Sequence, residues 1–249
     1  MKNFFLFLIL LLFIPFISHA EGNRKGDVLH TYEEDITGDG LEDHILLRGE
    51  LFSNGGNYYH RIWTEIQTAN NSNMEVHFGG GYEPAIQFVD LNHDRIKDVF
   101  YQSPADDSRG LYQYELFTFA NNKKEPIPLP DQPYVTGEFM DGYKVRINLS
   151  PHDKPIILSL KDRDIDYVQL GIYNKRGKVI KSPNSVMIDR IALFEPVYLS
   201  DRKGYGLKSY KHISGVSPAD RLGTIETLWY YENGKWIALQ TEWKNSSKK

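Results

Sequence analysis

Asp90-Leu91-Asn92-His93-Asp94-Arg95-Ile96-Lys97-Asp98 runs straight into Val99-Phe100-Tyr101, and Asp35-Ile36-Thr37-Gly38-Asp39-Gly40-Leu41-Glu42-Asp43 runs in the same way into His44-Ile45-Leu46-Leu47. Each stretch puts oxygen-bearing side chains at relative positions 1, 3, 5 and 9 and an apolar residue at position 7, and the two starts are 55 residues apart. Val28–Tyr32 leads into the first stretch and Ala85–Val89 into the second, both rich in β-formers. Each therefore reads as a tight acidic connection between two strands.

Working outward, the same texture continues. Ser53-Asn54-Gly55-Gly56-Asn57, Asn70-Asn71-Ser72-Asn73 and Asn121-Asn122-Lys123-Lys124 are turn signals. Between them lie Tyr58–Thr68, Met74–Phe78 and Leu111–Phe119, segments of β-branched and aromatic residues. Residues 126–133 are proline-rich, unsuited to a central strand, and read as a connector between a first β region (residues 21–125) and a second (residues 134–249). In the second region Tyr143–Leu149 and Ile156–Leu160 form one expected hairpin, and Tyr167–Tyr173 with Lys178–Ile180 another. Thr224–Tyr231 and Lys235–Trp243 flank Glu232-Asn233-Gly234, where Asn-Gly supplies the positive φ angles of a tight hairpin. Ser217–Leu222 is the one short helical turn expected, capped by Ser217. The fold class that follows is all-β with little helix: blade-like antiparallel sheets, as a partial propeller or two packed sheet units.

The spacing in the two acidic stretches suits a hard cation. Calcium takes 6–8 oxygen ligands at about 2.3–2.6 Å, and alternate residues of a tight loop can turn their oxygens to one centre. In the first loop Asp35, Thr37, Asp39 and Asp43 supply side chains; in the second Asp90, Asn92, Asp94 and Asp98 do so. Leu41 and Ile96 at position 7 would offer backbone carbonyls, leaving their side chains free to anchor the loops in the core. Gly40 suits the bend after position 5. Arg95 stands at that place in the second loop, where a positive φ costs on the order of 1 kcal/mol. The alternative is a pair of Asp/Asn/Gly turns with solvated carboxylates. Against it, clustered carboxylates repel unless something neutralises them.

Composition narrows the rest. Residues 1–20 read as a secretory signal: Lys2, the apolar run Phe4–Ile17, then Ser18-His19-Ala20 at the cleavage position. A secreted or envelope location is expected, with no membrane span after cleavage. The formal net charge of −4 argues against a nucleic-acid partner. With no cysteine in the chain, thiol catalysis, disulfides and lipoprotein attachment are all out. No H-E-x-x-H, G-x-S-x-G or phosphate-cradling loop occurs. Asp162, Asp164 and Asp166 on one side of an extended segment, and Asp106-Asp107, read as solvated turns. Tyr58, Tyr59, Trp63, Trp229, Tyr230, Tyr231, Trp236 and Trp243 could form a sugar platform, but strand packing is the favoured reading.

The loops resemble those of FG-GAP/VCBS repeats, the blades of integrin-α-type β-propellers. Phe78-Gly79 ahead of the second loop and Asp98-Val99-Phe100-Tyr101-Gln102-Ser103-Pro104 after it resemble that repeat's flanks, with Gln-Ser-Pro in place of Gly-Ala-Pro. The resemblance covers residues 28–104, with a degenerate third loop over Val197–Leu207 that lacks ligands. It implies calcium-dependent structure and extracellular adhesion to a protein or glycan. The expectation is a secreted, calcium-binding, non-enzymatic β-protein. The competing one is a wall- or sugar-directed hydrolase built on two carboxylates.

Overall fold

The computed structural model describes residues 26–53, 55–105 and 112–246. The expected signal segment and Asp106-Asp107 lie outside them. Over these described residues the chain is all-β, in four antiparallel sheets, none closed into a barrel. The first sheet has the order β1 (Asp27–Glu34), β2 (Asp43–Leu51), β3 (Tyr58–Gln67), β4 (Asn73–Phe78), with the short β5 (Gly81–Tyr82) also on β3. The second runs β6 (Ala85–Val89), β7 (Asp98–Pro104), β8 (Tyr112–Thr118), β9 (Glu125–Pro126). The third is β10 (Thr136–Met140), β11 (Lys144–Asn148), β12 (Ile156–Ser159). The fourth is a meander of long strands, β13 (Met187–Ser200), β14 (Gly204–Ser214), β15 (Arg221–Glu232) and β16 (Lys235–Asn245).

Period-two alternation decides how these sheets stack. On β7, Val99 and Tyr101 turn into a core shared with Ile45, Ile62, Ile66 and Phe78 of the first sheet. Phe100, between them, turns the other way, into a core with Phe194, Leu207 and Trp229 of the fourth sheet. The second sheet is thus buried on both faces, and β7 carries a continuous apolar run rather than an alternating one. On β14 the odd-numbered residues from Leu207 to Ile213 face inward. Leu207 meets the second sheet, while Ile213 meets Val145, Ile147 and Phe139 of the third. One face of the fourth sheet is therefore covered by two different sheets, and the chain 127–135 fills the seam between them. There Gln132 Nε2 donates to Thr227 Oγ1 at 2.8 Å and Lys211 Nζ to the Gln132 carbonyl at 3.3 Å.

Two local expectations are corrected. Tyr167–Ile180 is not a hairpin: Asp164–Gln169 forms the helix α1, and beyond it a lone bridge joins Tyr173 to Val179. The helical period buries Tyr167, which donates to Asp220 Oδ2 at 2.6 Å, and leaves Ile165 in solvent. Asp162, Asp164 and Asp166 accordingly lie on helical turns and not along an extended segment. Ser217–Leu222 is not helical either. Ser217 accepts from the Asp220 N–H, Asp220 Oδ2 accepts from the Val216 N–H, and β15 starts at Arg221.

Candidate functional site

Each acidic stretch joins two adjacent antiparallel strands, β1 to β2 and β6 to β7, and its position 9 opens the outgoing strand. The two loops fold alike. Position 4 is left-handed in both, Gly38 at φ +78° and His93 at +66°; so is position 6, Gly40 at +85° and Arg95 at +75°. Arg95 thus takes the backbone shape that glycine takes in the first loop. What holds it there is the position-1 carboxylate. Asp90 accepts from the N–H of His93 at 2.7 Å and of Arg95 at 3.1 Å, as Asp35 accepts from Gly38 at 2.7 Å and Gly40 at 2.9 Å. The position-5 carboxylate accepts from position 7: Asp39 from Leu41 at 2.9 Å, Asp94 from Ile96 at 2.8 Å. The position-9 carboxylate reaches back across the loop to positions 2 and 3. Asp43 Oδ2 accepts from Ile36 and Thr37, and Asp98 Oδ2 from Leu91 and Asn92 at 2.8 and 3.0 Å.

Position 7 does not anchor the loops. Leu41 is 60% exposed, and Ile96, half-buried, rests on the first loop: a Cβ on Gly38 would lie 2.5 Å from Ile96 Cδ1. The anchors are Ile36 and Leu91 at position 2, both fully buried. Position 9 fixes them by gripping their N–H groups. Sequence reading passed over them because a lone apolar residue between two polar ones carries no periodic signal, although its recurrence at the same place in both loops was visible.

The loops differ at position 9. Asp43 Oδ1 accepts a third bond, from the Ala69 N–H at 3.2 Å. Asp98 has no counterpart. It is fully buried, and its Oδ1 has no hydrogen-bond partner among the described residues. Burial pushes its carboxyl up to about 7 from the usual 3.8; the Leu91 and Asn92 N–H groups pull the other way, and the nearby Asp94 and Asp90 charges push it further up. In the first loop it is the buried Thr37 Oγ1 that has no partner among the described residues. At position 3 of the second loop Asn92 is engaged locally: its Oδ1 accepts from the Asp94 N–H at 2.9 Å and its Nδ2 donates to Asp94 Oδ2 at 3.0 Å. Among the described residues no group of three or more His, Asp or Glu side chains is gathered tightly enough to hold a metal as it stands. The loop carboxylates are spent on backbone N–H groups, and an ion would share them. The donor set nevertheless fits a hard cation: it is all oxygen, and it includes one buried oxygen in want of a partner.

The other candidate features do not come together. The eight aromatics of the conceivable sugar platform are divided between the first and fourth sheets, with Trp63 and Trp229 buried. An open cleft of 850 Å³ is lined by Asp162, Arg163 and Asp220 among others. Asp220 there is tied to Arg163 at 3.0 Å, to Tyr167 and to the Val216 N–H, which is the wiring of a structural carboxylate.

Comparison with known proteins corrects the family resemblance. Residues 133–244 match the YybI C-terminal domain family. The chain is also 27% identical over 222 residues to a protein of Bacillus subtilis (strain 168) described as "Uncharacterized protein YybI", covering 86% of this chain and 83% of that one. The chain is thus similar to YybI over most of its length, and nothing links it to FG-GAP/VCBS repeats. The matched region comprises the third and fourth sheets, so both acidic loops precede it. No solved structure matches the chain.

Proposed function

We propose that this chain is a non-enzymatic β-protein of the cell envelope or extracellular space whose second acidic loop, Asp90–Asp98, binds calcium and is stabilised by it. The observation that carries the reading is the buried, unpartnered Asp98 Oδ1 beside Asp90 and Asp94. An unpaired buried carboxylate oxygen costs free energy, and a cation bound there would satisfy it. Asp90, Asn92, Asp94 and Asp98 would hold the ion by their side chains and Ile96 by its carbonyl. The first loop, through Asp35, Thr37, Asp39, Asp43 and the Leu41 carbonyl, is the weaker site, because Ala69 already fills the free oxygen of Asp43. A binding role toward an extracellular protein or glycan is the extension of this reading.

The test is a thermal melt of the purified chain with calcium and then with chelator. A ligand that binds the folded state alone adds about 2.7 kcal/mol at a hundredfold excess over its Kd. The expected result is a higher midpoint with calcium, lost in Asp94→Ala and largely kept in Asp39→Ala. A midpoint indifferent to calcium removes the reading.

A further inference from the structure

The second loop lies where the second sheet meets the fourth, and its contacts across that boundary hang from its acidic residues. His93 stacks on Tyr230 of β15, with ring centroids 4.5 Å apart and planes inclined by 27°. The ammonium of Lys203, in the β13–β14 turn, stands 4.2 Å from the centroid of the same ring. Gly204 follows it closely enough that a Cβ there would touch His93 Nδ1 at 3.6 Å. On the other side of the loop, Leu91 is fully buried among Phe194, Leu207 and Trp229 of the fourth sheet.

Both contacts begin at a residue held by a proposed ligand. The His93 N–H is bonded to Asp90 Oδ1, and the Leu91 N–H to Asp98 Oδ2. His93 is also kept in a left-handed conformation, which a non-glycine residue holds only under constraint. The first loop has no such reach. Its anchor, Ile36, is buried in the core between the first and second sheets, and its Gly38 abuts Ile96 of the second loop.

Resting on the calcium reading, we propose that the ion at Asp90–Asp98 acts as a clamp between the two halves of the molecule. By fixing Asp90 and Asp98 it fixes His93 on Tyr230 and Leu91 in the shared core. It thereby fastens the second sheet to the β13–β14 turn and β15 of the fourth. Without the ion the turn Asp201–Gly204 opens more often, although it contains no ligand and lies more than a hundred residues away in sequence.

Hydrogen exchange of the full chain, read by peptide mass with calcium and with chelator, tests this, alongside direct calcium titration by calorimetry. Calcium is expected to slow exchange by about tenfold or more both in Leu91–Ile96 and in the turn around Lys203 and Gly204, since local opening free energies respond to bound ligand. His93→Gly suits the φ of +66° and keeps the backbone N–H that Asp90 holds, but removes the ring. That variant is expected to bind calcium and to keep the slowing in the loop while losing it in the turn. If the wild type binds calcium and the turn does not respond, or if the turn of His93→Gly responds as the wild type does, the clamp is refuted and the calcium site stands. If calorimetry detects no calcium binding, the site itself is refuted and the clamp with it.

Discussion

Replacing Asp98 by asparagine separates the cost of the buried carboxylate from its use. In the chelated protein the ionised form is penalised. The gap between 3.8 and about 7, at 1.36 kcal/mol per pH unit, means that ionising Asp98 costs the fold about 4 kcal/mol. Between those two pH values the folded chain keeps a proton that the unfolded chain has released, so stability at this site falls as pH rises from about 4 to about 7 and is flat above. Asparagine has the same shape and can still accept from the Leu91 and Asn92 N–H groups, but it has no charge to lose. Urea unfolding in chelator at a series of pH values should therefore show Asp98→Asn close to the wild type near pH 4 and more stable than it at pH 8, by up to about 4 kcal/mol. Calcium at pH 8 should close most of that gap, raising the wild type by about 2.7 kcal/mol at a hundredfold excess over Kd and leaving the variant where it was. Parallel curves for the two proteins in chelator, together with no calcium response in either, would refute the argument, because they would mean that Asp98 Oδ1 is already satisfied.

Three further outcomes follow from the same structure. Leu91→Ala empties a fully buried site between two sheets and should cost about 2–5 kcal/mol in urea unfolding; a loss below about 1 kcal/mol would show that position 2 is not the anchor. Gly38→Ala should cost more than Gly40→Ala. Both must hold a positive φ, worth about 1–2 kcal/mol, but only the Cβ at 38 meets a neighbour, Ile96; equal melting midpoints would argue against contact between the loops. Alkaline pH should unfold the protein cooperatively. Burial pushes Tyr101, Tyr114 and Tyr167 well above the usual 10, and Tyr173 up to about 12. The unfolded chain thus loses these protons first, and stability falls as pH climbs past 10. Tyrosinate absorbance and loss of circular dichroism should appear together, and tyrosines titrating normally in a still-folded chain would contradict the burial.

The parts of this fold legible in the sequence were those set by local geometry. Positions 1, 5 and 9 bind backbone N–H groups within their own loop, so their spacing can be read without knowing what surrounds it. Hairpins such as β15–β16 announce themselves by Asn233-Gly234, whose φ values of 53° and 76° the turn needs. What could not be read depends on contacts between distant segments. Leu41 and Ile36 are both apolar, and only the first core, made of strands from two sheets, decides that Ile36 goes in and Leu41 stays out. Asp164–Gln169 looks as much strand as helix until Tyr167 is seen against Asp220, 53 residues on. The family resemblance failed for the converse reason. A nine-residue loop of alternating oxygens is specified by its own chemistry and can be set between strands of differing parentage, so it says little about the sheets around it. The difference between Asp43 and Asp98 rests on the backbone N–H of Ala69, which belongs to another turn altogether.

The near-contact of Gly38 with Ile96 ties the histories of the two loops together. A lineage that acquires a side chain at 38 must turn aside or shorten the one at 96, and one that lengthens 96 does so most easily while 38 stays bare. Related sequences should therefore show these two columns changing in concert across a separation of 58 residues, whereas column 40, with open space around Gly40, drifts independently of column 96.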